Sequence, residues 1–140
     1  MKFNISPTPN PHDSERPIKT PQLKIQLLGD NGAMLDDSVA LVDSGANDSM
    51  VRADYALDLG IDLRKVEGYS IYGIGDEPVC AKPSRVKMRL LELKEEIEIP
   101  ILFVFTPKVD VILGRCGFFD RYIIKFDLEN NTFEITKSKR

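Results

Sequence analysis

Residues 39–46 join an apolar strand to a carboxylate that could do chemistry. The four apolar residues 39–42 predict a strand buried on both faces, and Asp43 follows directly. A carboxylate in this place is costly to desolvate unless hydrogen-bond donors meet it. Ser44 offers a hydroxyl, and Gly45 lets the backbone turn tightly enough to bring its N–H close. On its own, Asp43-Ser44-Gly45 is also ordinary turn chemistry.

Two further motifs follow at a distance along the chain. Gly73-Ile74-Gly75 is a glycine-bracketed tip, which predicts either a plain hairpin turn or a mobile lid. Because no helix follows it, the tip is weak evidence for phosphate binding. Val111-Ile112-Leu113-Gly114 is then a second apolar strand that ends in glycine.

Taken in order, the three motifs resemble the retropepsin-like aspartic proteases. That family carries an apolar strand into Asp-Thr/Ser-Gly-Ala, then a glycine-rich flap, then an apolar-apolar-Gly strand and a short helix. The resemblance runs from about Leu23 to Ile135. It implies an all-β fold with one or two short helices, built as a closed β-barrel with one lobe per chain. It also implies that the second apolar strand crosses beside the Asp43 strand and that the tip is a flap.

The resemblance assigns a role to each motif residue. Asp43 would be catalytic, Ser44 and Gly45 would support the active site, and Gly114 and Arg115 would be structural. The substrate-binding residues would be Ala46, Asn47, Asp48, Gly73, Ile74, Gly75, Val111 and Ile112.

Arg115 would anchor the short helix after the second apolar strand. Asn47 stands where the family has an acidic partner for this arginine. Arg115 could instead use Asp48 or a backbone carbonyl, or it could be a solvent-exposed cap.

Aspartic proteolysis needs two carboxylates that share one proton, and this chain has a single Asp43-Ser44-Gly45. We therefore expect a homodimer that brings two Asp43 side chains together and cleaves an extended polypeptide. A catalytically weak or inactive dimerisation or peptide-binding module of the same fold is the alternative. An unrelated β-rich domain with an incidental turn is the third hypothesis.

Composition excludes several other classes of function. The 140 residues carry a net charge of −3, which gives no electrostatic footprint for nucleic acid or for an anionic membrane. No apolar run approaches ~20 residues, and no secretion signal opens the chain, so the cytoplasm is the expected compartment. With His12 as the only histidine we expect no metal site, and we expect no cofactor. Cys80 and Cys116 are expected to be reduced thiols, with one bridge left open.

We divide the chain into a flexible Pro-rich tail over residues 1–21, a domain over residues 22–136 and a charged end over residues 137–140. The tail holds five of the nine prolines, which favour extended backbone. It also contains His12-Asp13-Ser14, whose members are adjacent and cannot converge as a catalytic triad.

The alternation of apolar and polar residues predicts the elements around the motifs. A hairpin of residues 23–27 and 34–42 would deliver Asp43, and a helix over residues 50–59 would stop at Gly60. The other predicted strands cover residues 68–72, 79–90, 97–105, 111–113, 123–127 and 132–136.

Overall fold

The computed structural model describes residues 1–8 and 18–138. Its strands are β1 (Lys2–Asn4), β2 (Ser6–Thr8), β3 (Ile18–Thr20), β4 (Gln22–Leu28), β5 (Met34–Val42), β6 (Met50–Arg52), β7 (Tyr69–Ile71), β8 (Val79–Leu90), β9 (Glu95–Val104), β10 (Val111–Leu113), β11 (Tyr122–Asp127) and β12 (Thr132–Lys137). A short α-helix, α1 (Asp54–Asp58), and a 3₁₀ turn, Asp30–Gly32, accompany them. Within the described ranges, no helix is both long and apolar enough to cross a membrane.

Six of these strands form a closed barrel. They are ordered β4-β5-β10-β6-β9-β8, and β8 pairs again with β4 to close the ring. β7 is added to β8 outside the ring. The all-β fold class and the single closed barrel predicted from the sequence are therefore confirmed.

β8 and β9 form the longest hairpin and supply much of the core. Val86 pairs with Ile99 and Met88 with Ile97, and all four side chains are buried. The alternation that predicted these strands thus reflects one face turned into the barrel. Lys94 lies in the connecting turn with φ of 54°, a left-handed conformation that closes the hairpin.

β10 lies at the centre of the sheet, between β5 and β6. It runs parallel to β5, with Leu113 opposite Val42, and antiparallel to β6, with Ile112 opposite Met50. Because Leu113 and Val42 are the last residues of their strands, the parallel register places Asp43 and Gly114 at the same edge. The strand crossing implied by the resemblance is present.

The N-terminal residues differ from the predicted tail. β1 pairs with β12, and β12 pairs with β11, in a separate three-stranded sheet. Phe3 and Ile5 are buried, and the Phe3 ring stacks on that of Phe133 with 5.1 Å between centroids. Residues 1–5 are therefore part of the packed domain, since apolar burial outweighs the proline-rich composition around them. Residues 9–17, including His12-Asp13-Ser14, lie outside the described residues.

The helix predicted over residues 50–59 is wrong in its first part. Met50–Arg52 is β6, which pairs with β10 on one side and with β9 on the other. Strand pairing on both sides satisfies the backbone and overrides the helical spacing. α1 begins only at Asp54, and Gly60 follows it with φ of 70°, the left-handed conformation expected of a stop residue.

The C-terminal boundary also moves slightly. β12 extends to Lys137, and the backbone N–H of Ser138 donates to the carbonyl of Arg121 at 2.9 Å. The domain therefore continues to Ser138, and residues 139–140 lie outside the described residues.

Candidate active site

Asp43 leaves β5 in a tight hydrogen-bonded turn. Its own N–H donates to the carbonyl of Leu113 at 3.0 Å, which ties it to the end of β10. The Gly45 N–H donates to Oδ1 of Asp43 at 2.9 Å, and the Ala46 N–H donates to the Asp43 carbonyl at 3.2 Å. A Cβ at position 45 would lie 3.2 Å from Oδ1, so glycine permits the close approach. The turn thus orients the half-buried carboxylate, while Ser44 is exposed.

Ser49 fastens the Asp43 loop, residues 43–48, to the segment that follows β10. Its side chain is 1% exposed. The hydroxyl donates to the carbonyl of Cys116 at 2.7 Å and accepts from the N–H of Gly114 at 3.0 Å. Sequence reasoning missed this role, because Ser49 stands directly before the helix predicted over residues 50–59. The available signal was a hydroxyl placed next to the apolar pair that opens β6.

Gly114 is needed for the backbones to approach one another. It is buried, and a Cβ there would collide with the carbonyl of Asp48 and lie 2.8 Å from that of Ala46. Asp48 also forms a parallel bridge with Cys116. The structural role that the resemblance gave to Gly114 therefore has a steric basis.

Arg115 binds a backbone carbonyl. Its Nε donates to the Ser44 carbonyl at 2.9 Å, one of the alternatives left open when Asn47 replaced the acidic partner. The Arg115 N–H donates to the Ala46 carbonyl, and the Cys116 N–H to that of Asn47, each at 2.9 Å. In place of the implied short helix, residues 115–121 form a bridge residue and successive turns.

An apolar wall lies under the glycine-bracketed tip. Ile74 and Ile112 are half-buried and pack against the same cluster. The buried members of this cluster are Ala81, Leu102, Val104 and Val109, and Met50, Ile71 and Val79 pack against it as well. Val111 differs from the prediction, because it is 2% exposed and belongs to the main barrel core. Side chains alternate along a strand, so only one of the two neighbours can face this wall.

The tip itself, residues 72–78, connects β7 to β8. Gly73 has φ of 102° and Gly75 φ of 71°, a region that favours glycine. The space that a side chain at position 75 would need is filled by the end of Lys108. Tyr72 is 80% exposed at the start of the tip.

Tyr55 and Asp110 connect α1 to the entry of β10. The Tyr55 hydroxyl donates to Oδ1 of Asp110, and the Arg52 N–H donates to the Asp110 carbonyl at 2.9 Å. The hydrogen bond to Asp110, together with burial, raises the pKa of Tyr55. These contacts fix the strand that carries Ile112.

A cleft of about 630 Å³ lies away from these motifs, between α1 and β8. Leu57, Phe105 and Lys82 line it, and the Lys82 ammonium donates to the Leu63 carbonyl at 2.9 Å. The residues that line the cleft are mostly apolar and include no nucleophile and no pair of carboxylates, so we do not place the candidate active site there.

The motif residues thus form two groups. The first joins residues 43–49 to residues 113–116, and the second joins the tip to the apolar wall. A backbone hydrogen bond links the two groups, because the N–H of Leu102 in the apolar wall donates to the carbonyl of Ser49 at 2.9 Å. Cys80 and Cys116 are free thiols, both exposed. Among the described residues, no group of three or more His, Cys, Asp or Glu side chains could hold a metal ion.

Comparison with solved structures identifies the fold. A retropepsin-like aspartic protease from Rickettsia conorii superposes with a TM-score of 0.62 and 17% identity, over 97% of this chain and 98% of that one. The retroviral protease-like domain of Ddi1 from Leishmania major gives a TM-score of 0.49 and 21% identity, over 85% of this chain and 90% of that one. No protein-family model and no curated protein sequence matches the chain. The chain has a retropepsin-like fold, and the resemblance stated from the motifs is confirmed.

Proposed function

We propose that the protein is an aspartic endopeptidase that acts as a homodimer. The observation that carries the proposal is the Asp43 turn, in which Gly45 orients a half-buried carboxylate beside the end of β10. The Rickettsia conorii protein, a retropepsin-like aspartic protease, has the same fold. One chain supplies one such turn, so a second copy would supply the other.

Two Asp43 carboxylates about 3 Å apart would repel each other by roughly 5 kcal/mol at an effective dielectric near 20. One of the two would therefore keep a proton, so that the pair holds one proton and one negative charge. The ionised member would take a proton from a water while the water oxygen bonds to the scissile carbonyl carbon. The protonated member would give its proton to the carbonyl oxygen. The resulting gem-diol would collapse as the C–N bond breaks. The carboxyl group that took the water proton would give it to the leaving amine, and the other carboxylate would take a proton from a gem-diol hydroxyl.

The substrate would be an extended peptide of several residues, bound by main-chain hydrogen bonds. Ser44 would stabilise the carboxylate pair, and Gly45 would offer its carbonyl to the peptide. Ala46, Asn47 and Asp48 would line the neighbouring subsites, and Gly73 and Gly75 would close over the peptide backbone. The apolar surface at Ile74 and Ile112 favours apolar side chains beside the cut.

The test is cleavage of a peptide library by the wild type and by Asp43→Asn, between about pH 4 and pH 7. We expect cleavage by the wild type and none by the variant, whose folding is checked by thermal melting. Cleavage that persists in Asp43→Asn would overturn the assignment of Asp43. A folded wild type that binds peptides without cutting them would favour the inactive-module alternative.

Sedimentation velocity tests the homodimer separately. We expect a concentration-dependent dimer, and activity per subunit should rise with the dimer fraction. A strict monomer with undiminished activity would rule out a shared carboxylate pair.

A further inference from the structure

The side chain at the tip occupies the apolar surface that a substrate would need. Ile74 packs on the cluster of Ala81, Leu102, Val104 and Val109, against which Ile112 also packs. If apolar substrate side chains bind there, as proposed above, they compete with Ile74 of the same chain. The tip in this position is therefore a competitor for the substrate.

Lys108 contacts the tip from the loop between β9 and β10. The end of its side chain lies in the space beside the Cα of Gly75, which has no Cβ to exclude it. The backbone N–H of Lys108 donates to Oγ1 of Thr106 at 3.3 Å, which orients the backbone of the loop at the lysine. The lysine is exposed, and no described carboxylate lies within ion-pair distance of its ammonium.

Two acidic residues of the tip face the same space as this lysine. Asp76, Glu77 and Lys108 all line one cleft of about 480 Å³. The next acid along the loop, Asp110, accepts a hydrogen bond from Tyr55 of α1 and does not line this cleft. The attraction available to Lys108 is thus directed at the tip.

We propose that Lys108 and the acidic residues of the tip form an electrostatic latch. The latch holds Ile74 on the apolar wall of its own chain, and a substrate must release it before binding. The consequence for cleavage rests on the proposed function, whereas the latch itself is a property of one chain. Because the charges are exposed, the attraction is weakened by salt.

The latch can be measured without any enzymatic activity. In a Cys80→Ser, Cys116→Ser background, spin labels are placed at Tyr72→Cys in the tip and at Pro107→Cys beside the lysine. Both positions are exposed. At low salt we expect a narrow distribution of short distances. High salt and Lys108→Met, which keeps the aliphatic stem, should each add a population at longer distances.

Lys87→Met is the matched control, since Lys87 is exposed on β8 opposite Glu98 and lies outside the cleft. It should leave the distances unchanged. An unchanged distribution in Lys108→Met, at both salt concentrations, would overturn the latch. Equal broadening by Lys87→Met would also overturn it, because the effect would then reflect net charge alone.

Cleavage kinetics test the consequence of the latch. Lys108→Met should lower KM about two- to fivefold with kcat unchanged, and the salt dependence of KM should largely disappear. If the spin-label distances lengthen in Lys108→Met but the wild type cleaves no peptide, the latch is supported and the proposed protease activity is rejected. If the wild type cleaves peptides but Lys108→Met changes neither the label distances nor KM, the latch is rejected and the protease activity is supported.

Discussion

Replacing Ser49 by alanine should loosen the Asp43 loop while leaving the rest of the barrel in place. The hydroxyl joins two segments that are far apart in sequence, at Gly114 and Cys116. Alanine removes the oxygen and leaves the donor and the acceptor without their partner. Because the site is 1% exposed, the backbone N–H of Gly114 cannot turn to solvent.

The two lost hydrogen bonds do not cost the same. The Gly114 N–H is buried, so it incurs the full penalty of an unpaired group, about 1–3 kcal/mol. The Cys116 carbonyl is only partly buried and can bind water, so its loss costs about 0.5–1 kcal/mol. The sum is roughly 1.5–4 kcal/mol, which for a chain of this length lowers Tm by about 5–15 °C.

Thermal and urea melts of Ser49→Ala against the wild type measure this cost. Ser84→Ala is the control, because Ser84 is half-exposed and its hydroxyl lies 3.5 Å from its only described acceptor. The control should change stability by less than about 0.5 kcal/mol. Cleavage by Ser49→Ala should fall through kcat, since the Asp43 turn loses its support. Equal melting of the two variants would refute the reasoning.

Three further changes test other parts of the structure. Gly114→Ala should lower the free energy of unfolding by about 1–3 kcal/mol and remove most of the activity, because the new Cβ would meet backbone carbonyls. Thermal melts measure the first effect and cleavage assays the second. Phe3→Ala should lower the free energy of unfolding measured in urea melts by about 3–5 kcal/mol, because the ring is buried. The same change in an unpacked tail would cost almost nothing. Burial raises the pKa of Glu95, but hydrogen bonds from Tyr122 and Lys137 outweigh it, so the pKa is lowered. The ionised carboxylate stabilises the fold at pH values above its unfolded pKa, and this contribution is lost as the pH falls. Urea melts should therefore show that Glu95→Gln destabilises the protein at pH 7 and much less near pH 3.

Each of these changes has an outcome that would count against it. Wild-type melting and kcat in Gly114→Ala would mean that the loop has room for a side chain. Phe126→Ala is the control for Phe3→Ala, because Phe126 is 37% exposed. An equal loss of unfolding free energy in the two variants would remove the argument for a buried N-terminus. A Glu95→Gln deficit that is independent of pH would show that packing, not charge, is lost.

The features that depend on neighbouring residues could be predicted from the sequence. The turn at Asp43 needs only Gly45, two residues away, and the observed hydrogen bond is the expected one. The barrel strands followed from the alternation of apolar residues, which is strong in β8 and β9. Val111 could also have been placed correctly, because period-two alternation turns it away from the face of Ile112.

The features that depend on distant contacts could not be predicted. Ser49 meets residues more than sixty positions away, so its role appears only when β10 is placed beside the Asp43 loop. Met50–Arg52 is a strand because β9 and β10 lie on either side of it. Phe3 is buried by β12, which comes from the opposite end of the chain, and local composition gives no sign of that pairing.

The central claim is that one active site needs a carboxylate from each of two copies. The most direct measurement mixes a fixed amount of wild type with about a ninefold excess of folded Asp43→Asn, after time for subunit exchange. Random pairing would leave about one tenth of the wild-type subunits with a wild-type partner, so cleavage per wild-type subunit should fall to about one tenth. Cleavage that stays at the unmixed level while sedimentation shows mixed dimers would contradict the shared site.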